Sequence, residues 1–169
     1  MVEAKLHDKQ FHAGKNRQID NQRPNAKAVR DEIIKKAWRA CRSVALVPYS
    51  AAVPNGYWSS ALNINGLLCS IQIITNVQTR TTRRQAYAHT GVRAEALEKF
   101  DVIIFYIAVP GYKRTTLLVP TEDLRTLWHA KRIIGRKSLY IPLVYRPDNA
   151  VIDFWAYRDR FDLLSRHVG

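Results

Sequence analysis

Leu62-Asn63-Ile64-Asn65-Gly66-Leu67-Leu68-Cys69-Ser70-Ile71-Gln72-Ile73-Ile74-Thr75 is the stretch on which the fold turns. Two apolar runs flank Asn65-Gly66. That dipeptide is the strongest short-range hairpin signal, because both residues tolerate the positive φ that a type I′ turn requires. The expectation is a pair of strands over 57–64 and 67–77. In the second, Ile71, Ile73 and Val77 alternate with Gln72, Ile74 and Asn76.

Upstream, Ala26, Val29, Ile33, Ala37 and Ala40 recur at three- and four-residue spacing, with Arg30, Lys35, Lys36 and Arg39 on other faces. This predicts a helix, with Asn25 as its N-cap after Pro24. Residues 43–47 read as a short buried strand stopped by Pro48, and 49–56 as a loop with a turn at Pro54-Asn55-Gly56. Downstream, 78–93 is a basic segment, and 100–109 is a continuous apolar run expected to be a central strand. Pro110-Gly111 turns it into a further strand over 115–119. Thr121 reads as an N-cap, and Glu122 and Asp123 suit the positive end of a helix reaching about Arg132. A strand over 139–144 and a closing helix over 154–164 complete the order, without internal repeats. This alternation predicts one α/β (α+β) domain over residues 26–169. Residues 1–25 hold few large apolar groups and cannot fold alone. They are expected to form an extended basic arm, with Lys9, Lys15 and Arg17 among its charges, lying on nucleic acid or a neighbouring protein.

Charge restricts the function. Twenty-seven basic residues face fourteen acidic ones among 169, a formal net charge of +13. Solubility needs a net charge of only about 2–8 in magnitude. Excess repulsion of this size points to a polyanionic partner, with nucleic acid ahead of an anionic membrane surface. Cys41 and Cys69 lie in apolar segments outside any CxxC or Cys/His cluster, as expected of buried thiols in a reducing compartment. No apolar run approaches the roughly 20 residues of a membrane span. The first residues carry Glu3, Asp8 and Asp20 and lack the apolar stretch of a signal peptide.

Two clusters are candidates for binding phosphate. Arg80, Arg83, Arg84 and Arg93 are interleaved with Thr79, Thr81, Thr82, Gln85 and Tyr87. Arginine forks pair with phosphates, and a tyrosine ring can stack on a base. Lys131, Arg132, Arg136 and Lys137 form the second cluster, part of which can instead complement a helix dipole. Lys113 and Arg114 are expected at a hairpin tip. His7, His12, His89, His129 and His167 are scattered without metal-ligand spacing. Glu95 and Glu98 share a helix face and read as solvated. Trp38, Trp58, Trp128 and Trp155 read as core residues. No cofactor or metal is expected.

The leading helix, the short strand, the hairpin ending Ile71-Gln72-Ile73-Ile74-Thr75 and the strand opening Phe100-Asp101-Val102 together resemble the PD-(D/E)XK endonucleases of the group I intron homing type. Pro120-Thr121-Glu122-Asp123-Leu124 adds to the likeness, which spans roughly residues 26–164. The resemblance implies a restriction-endonuclease-like mixed central sheet flanked by helices. It also implies an Asp at the start of the second strand and a Gln-x-Lys triplet on the third. Here Ser59 or Ser60 stands at the Asp position. Gln72 is present, Ile74 replaces the Lys, and Glu32 matches an acidic position on the first helix that some relatives use. Hydrolysis of this type needs Mg²⁺ held by carboxylate and carbonyl oxygens and a cation beside the attacking water. Serine and isoleucine supply neither. If the third strand is central, Ile74 packs where the lysine would reach the cleft.

The function expected from these features is a non-catalytic nucleic-acid-binding protein derived from such an endonuclease, with RNA favoured over DNA. It would sit among neighbouring proteins of a large ribonucleoprotein, such as a mitochondrial ribosome in the organelle matrix, and not on a membrane. The alternatives are a divergent but active Mg²⁺-dependent homing endonuclease, with groups migrated to Glu32 or Asp101, and a DNA-binding regulator without catalysis.

Overall fold

Asn65 and Gly66 close the hairpin with φ of 51° and 85°, as a type I′ turn demands. In the computed structural model, which describes residues 24–41, 43–46, 60–80, 85–129, 138–143 and 154–165, this hairpin lies within a five-stranded mixed sheet. Its strands are β1 (Val44–Leu46), β2 (Ala61–Ile64), β3 (Leu67–Ile74), β6 (Val102–Ile107) and β7 (Thr115–Pro120), adjacent in that order. β1, β2 and β3 form an antiparallel meander, β6 runs parallel to β3, and β7 returns antiparallel. Parallel pairing needs a long crossover. Here it holds β4 (Val77–Arg80), β5 (Gln85–Gly91) and helix α2 (Ala94–Lys99). β4, β5 and β8 (Ser138–Pro142) make a second, antiparallel sheet of three strands.

Helix α1 (Ala26–Ala40) begins at Asn25, whose Oδ1 accepts the Lys27 N–H at 2.8 Å. It buries Val29, Ile33 and Ala37 against one face of the main sheet, among Leu62, Ile64, Cys69, Ile71, Ile104 and Leu118. Burying each large aliphatic side chain contributes about 1.5–3 kcal/mol. The opposite face carries Ile74, Ile103, Phe105, Ile107, Leu117 and Val119. It is covered by α2, by α3 (Thr121–His129) and by Ala88, Ile141 and Leu143 of the small sheet and its end. All six residues of β6 are buried, because the strand has a neighbour on each side and a layer on each face. The continuous apolar run at 100–109 is thus a central strand. Among the described residues no helix is long and apolar enough to cross a membrane.

Several expectations need correction. The strand at 43–47 is an edge strand: among the described residues it pairs only with β2, and Val44 is half-buried while Ala45 and Leu46 are exposed. The strand expected over 67–77 ends at Ile74, and Val77, which opens β4, is exposed. Within the basic segment 78–93, residues up to Arg80 belong to β4 and Gln85–Gly91 form β5, paired with it, and α2 supplies a second helix between the strands. Thr121 does not cap α3 from outside. It is the helix's first residue, and its hydroxyl donates to the carbonyls of Phe100 (2.7 Å) and Asp101 (3.2 Å).

The closing helix is two short 3-10 turns, Phe154–Tyr157 and Phe161–Ser165. Between them Asp159 takes φ of 49° and donates its N–H to Thr116, while Arg158 pairs with Leu117. The edge of β7 needs backbone partners, and satisfying it bends the chain out of a helix. Phe154, Phe161 and Leu164 remain buried, so their helix-like spacing records the face they share and not the backbone geometry. Trp38 is 55% exposed, one residue beyond the buried Ala37. Trp155 is half-buried, with the Arg158 guanidinium 5.7 Å from its ring centre. Cys41 and Cys69 are buried free thiols. Burial, with the nearby charge of Asp101 adding to it, pushes the Cys69 thiol far up.

Candidate nucleic-acid interface

The small sheet has two unlike faces. Ala88 on β5 and Ile141 on β8 point into the core, and side chains alternate along a strand. Tyr87 and His89, and Tyr140 opposite His89, therefore lie on the outer face, and all three are half-buried. His89 and Tyr140 have ring centres 4.8 Å apart and planes tilted by 35°. Tyr87 meets Tyr140 edge-on at 6.5 Å. Three aromatic rings thus occupy one patch across two strands.

The stretches of sequence that supply this sheet carry charge of one sign. No Asp or Glu occurs from Thr75 to Ala94, a run that holds Arg80, Arg83, Arg84 and Arg93. None occurs from Leu124 to Pro147, which holds Arg125, Lys131, Arg132, Arg136, Lys137 and Arg146. All three strands of the small sheet come from these two acid-free runs.

The arginine cluster read from the sequence is split by the fold. Arg80 ends β4 opposite Gln85, whereas Arg93 is the exposed N-cap position of α2, beyond the far end of β5. A seven-residue strand is about 20 Å long at the antiparallel rise. Arg80 and Arg93 thus bracket the aromatic patch, with Tyr87 between them. Lys113 and Arg114 are exposed in the β6–β7 connection, where Gly111 takes φ of 85°. Lys9, Lys15, Arg17, Arg83, Arg84, Lys131, Arg132, Arg136 and Lys137 lie outside the described residues. His89 and Tyr140 were not candidates from the sequence. The available signal was the alternation of Gln85, Tyr87 and His89 with Ala86 and Ala88, a period-two pattern hidden inside a segment read only for its charge.

The positions matching the nuclease motif do not converge. Ile71 and Ile73 face α1, so Gln72 and Ile74 face the other way. Gln72 donates from Nε2 to the Gly91 carbonyl at 2.6 Å, and Ile74 is 1% exposed in one apolar cluster with Ala88 and Ile141. Glu32 stands across the sheet on the α1 side. There it accepts a 2.7 Å hydrogen bond from the Tyr106 hydroxyl and pairs with Lys36 at 3.0 Å. Lys36 also reaches the Thr116 hydroxyl (3.3 Å) and Asp159 (3.8 Å). Burial raises the Glu32 pKa, but the Tyr106 and Lys36 hydrogen bonds and the charges of Lys36 and Arg114 outweigh it, leaving the carboxyl below its usual value. Burial, then the bond to Glu32, pushes Tyr106 up to about 12.

Asp101 precedes β6 and accepts the Leu68 N–H at 2.7 Å, whereas Glu32 meets β6 at Tyr106. Roughly 16 Å of strand separates those two positions. Ligands of one Mg²⁺ must approach to within about 4 Å of each other. Ser60 is half-buried just before β2, and Ser59 lies outside the described residues. Among the described residues no three His, Cys, Asp or Glu side chains come together to hold a metal ion.

No protein-family model, no curated protein and no solved structure matches this chain.

Proposed function

We propose that this chain is a non-catalytic RNA-binding protein, a structural component of a ribonucleoprotein such as a mitochondrial ribosome, built on a restriction-endonuclease-like frame inherited from an intron homing endonuclease. The observation that carries the reading is the net charge of +13, concentrated in two acid-free runs that supply the whole small sheet. So one-signed a charge suits the phosphate backbone and costs self-repulsion without it.

The order of elements supports the nuclease-like frame: a leading helix, an antiparallel meander, then a crossover to a strand parallel to the third, with helices on both faces. Loss of catalysis is supported by Ile74, which occupies the apolar contact between the two sheets and leaves no room there for a hydrated cation. It is supported also by the placement of Glu32, Gln72 and Asp101 at sites too far apart to share one ion.

Two measurements test the reading. Purified protein incubated with Mg²⁺ or Mn²⁺ should leave duplex DNA and RNA uncut above background. Cleavage that vanishes in Glu32→Ala would instead establish an active nuclease. Tagged protein should co-sediment with ribosomal particles in a sucrose gradient and move to the top after RNase treatment. Sedimentation only with DNA would favour a DNA-binding regulator.

A further inference from the structure

We infer that the outer face of the small sheet, Tyr87, His89 and Tyr140, is a stacking platform for unpaired bases of RNA, an inference that rests on the RNA-binding reading above and names the part of the RNA that is held. Cross-strand aromatic pairs stabilise many sheets with no ligand at all. Three features go beyond that ordinary role. The rings are on the side away from the two core clusters, and each is only half-buried. Directly registered His89 and Tyr140, with Tyr87 two residues along, spread the aromatic surface over two strands and not at one point. The two sequence runs that build the sheet contain ten Lys and Arg residues and no acid.

These features match what unpaired nucleotides offer. A base outside a helix exposes a π-face that stacks on tyrosine or histidine, while its phosphates seek cations along the same path. Bases inside a duplex already stack on one another and have no face to present. Along the chain, Arg80 ends β4 at one end of the sheet and Arg93 follows β5 at the other, so arginine positions flank the rings on both sides. Tyr87 and His89 lie two residues apart, about 7 Å along β5, a span that fits one or two unpaired bases. Stacking tolerates any base, so recognition is of single-strandedness and not of sequence.

The test uses the full chain with two RNAs, a fluorescein-labelled single-stranded 10-mer and a blunt duplex of equal length, followed by anisotropy at fixed salt. A 10-mer with 2-aminopurine at its centre reports stacking by loss of fluorescence. Wild type should prefer the single strand and quench the 2-aminopurine. Tyr87→Ala and Tyr140→Ala should each bind the single strand about 5- to 100-fold more weakly, the range expected for one lost stacking contact. Tyr140→Phe should retain binding, and duplex affinity should be unchanged in all three variants. Circular dichroism and urea midpoints establish that each variant is folded. Should an Ala variant fail to fold, Tyr87→Leu and Tyr140→Leu keep apolar bulk but remove the π-face, and the wild-type quenching stands independently. Folded variants that bind the single strand as wild type does, or wild type that binds RNA without quenching, would overturn the platform and leave the RNA-binding reading intact. Wild type that binds neither RNA at low salt would overturn both.

Discussion

The phenol of Tyr106, 1% exposed as a residue, donates to Glu32 beneath α1, and Lys36 holds the other carboxylate oxygen. This group of three ties the first helix to β6, and through Thr116 and Asp159 to β7 and the C-terminal turns. Glu32 keeps its proton less readily here than in the unfolded chain, whose value is near 4.5. Its depressed pKa makes a contribution to stability that is fully present above about pH 4.5 and lost as pH falls through the lower folded value. The side chain is 41% exposed, so solvent screens much of the charge interaction. Urea unfolding from pH 7 to pH 3 should therefore give a Glu32→Gln variant a lower midpoint than wild type at neutral pH, with the difference shrinking as pH falls through the lowered folded value. A constant offset across that range would mean that the carboxylate's charge plays no part. Glu32 thus acts as a structural strut between α1 and the sheet.

At the scale of elements, the β2–β3 turn does more than reverse the chain. Asn65 accepts the Ser43 N–H on Oδ1 at 2.8 Å and donates from Nδ2 to the Leu164 carbonyl at 3.0 Å. One side chain thus joins the start of the edge strand, the hairpin and the last 3-10 turn. Asn65→Gly preserves the positive φ but removes both bonds and leaves the buried Leu164 carbonyl without this donor. The variant should lose about 1–3 kcal/mol in urea titration. A loss within error of zero would show that the turn geometry alone matters. The Asn-Gly signal made this turn legible, because it depends on adjacent residues. The links to Ser43 and Leu164 were not, because they join residues 22 and 99 positions away. The two 3-10 turns were hidden for a related reason: apolar spacing reports which face is buried, and a bent chain can present the same face as a helix.

For the whole molecule, the charge predicts how binding depends on conditions. Each phosphate neutralised releases condensed counterions, so affinity falls linearly with salt on a log–log plot. For about 6–10 contacts, a rise from about 50 to 200 mM salt weakens binding on the order of a thousandfold or more. Replacing Arg83 and Arg84 together by Ala should reduce the slope by about 2 and weaken all RNA sequences alike. Deleting residues 1–24 should also weaken binding, while leaving the Asn25 cap and the unfolding midpoint unchanged. Anisotropy across a salt series for wild type, the double variant and the truncation measures all three effects. A flat salt response would move the basic surface to a protein or lipid partner.

Local chemistry alone determined the α1 cap at Asn25, the hairpin turn at Asn65-Gly66, the apolar strand now seen as β6, and the excess of positive charge. Each of these depends on neighbours within a few residues or on a simple sum, so no knowledge of the fold was needed. Tertiary structure decided the rest. It turned the basic segment into β4 and β5, paired β5 with β8 and so brought Tyr140 to His89. It also set Glu32 and Gln72 on opposite faces of one sheet. The physical reason is that pairing and facing are relations between distant segments. They are selected by burial of the whole core, to which Ile74, Ala88 and Ile141 contribute together and none of them alone.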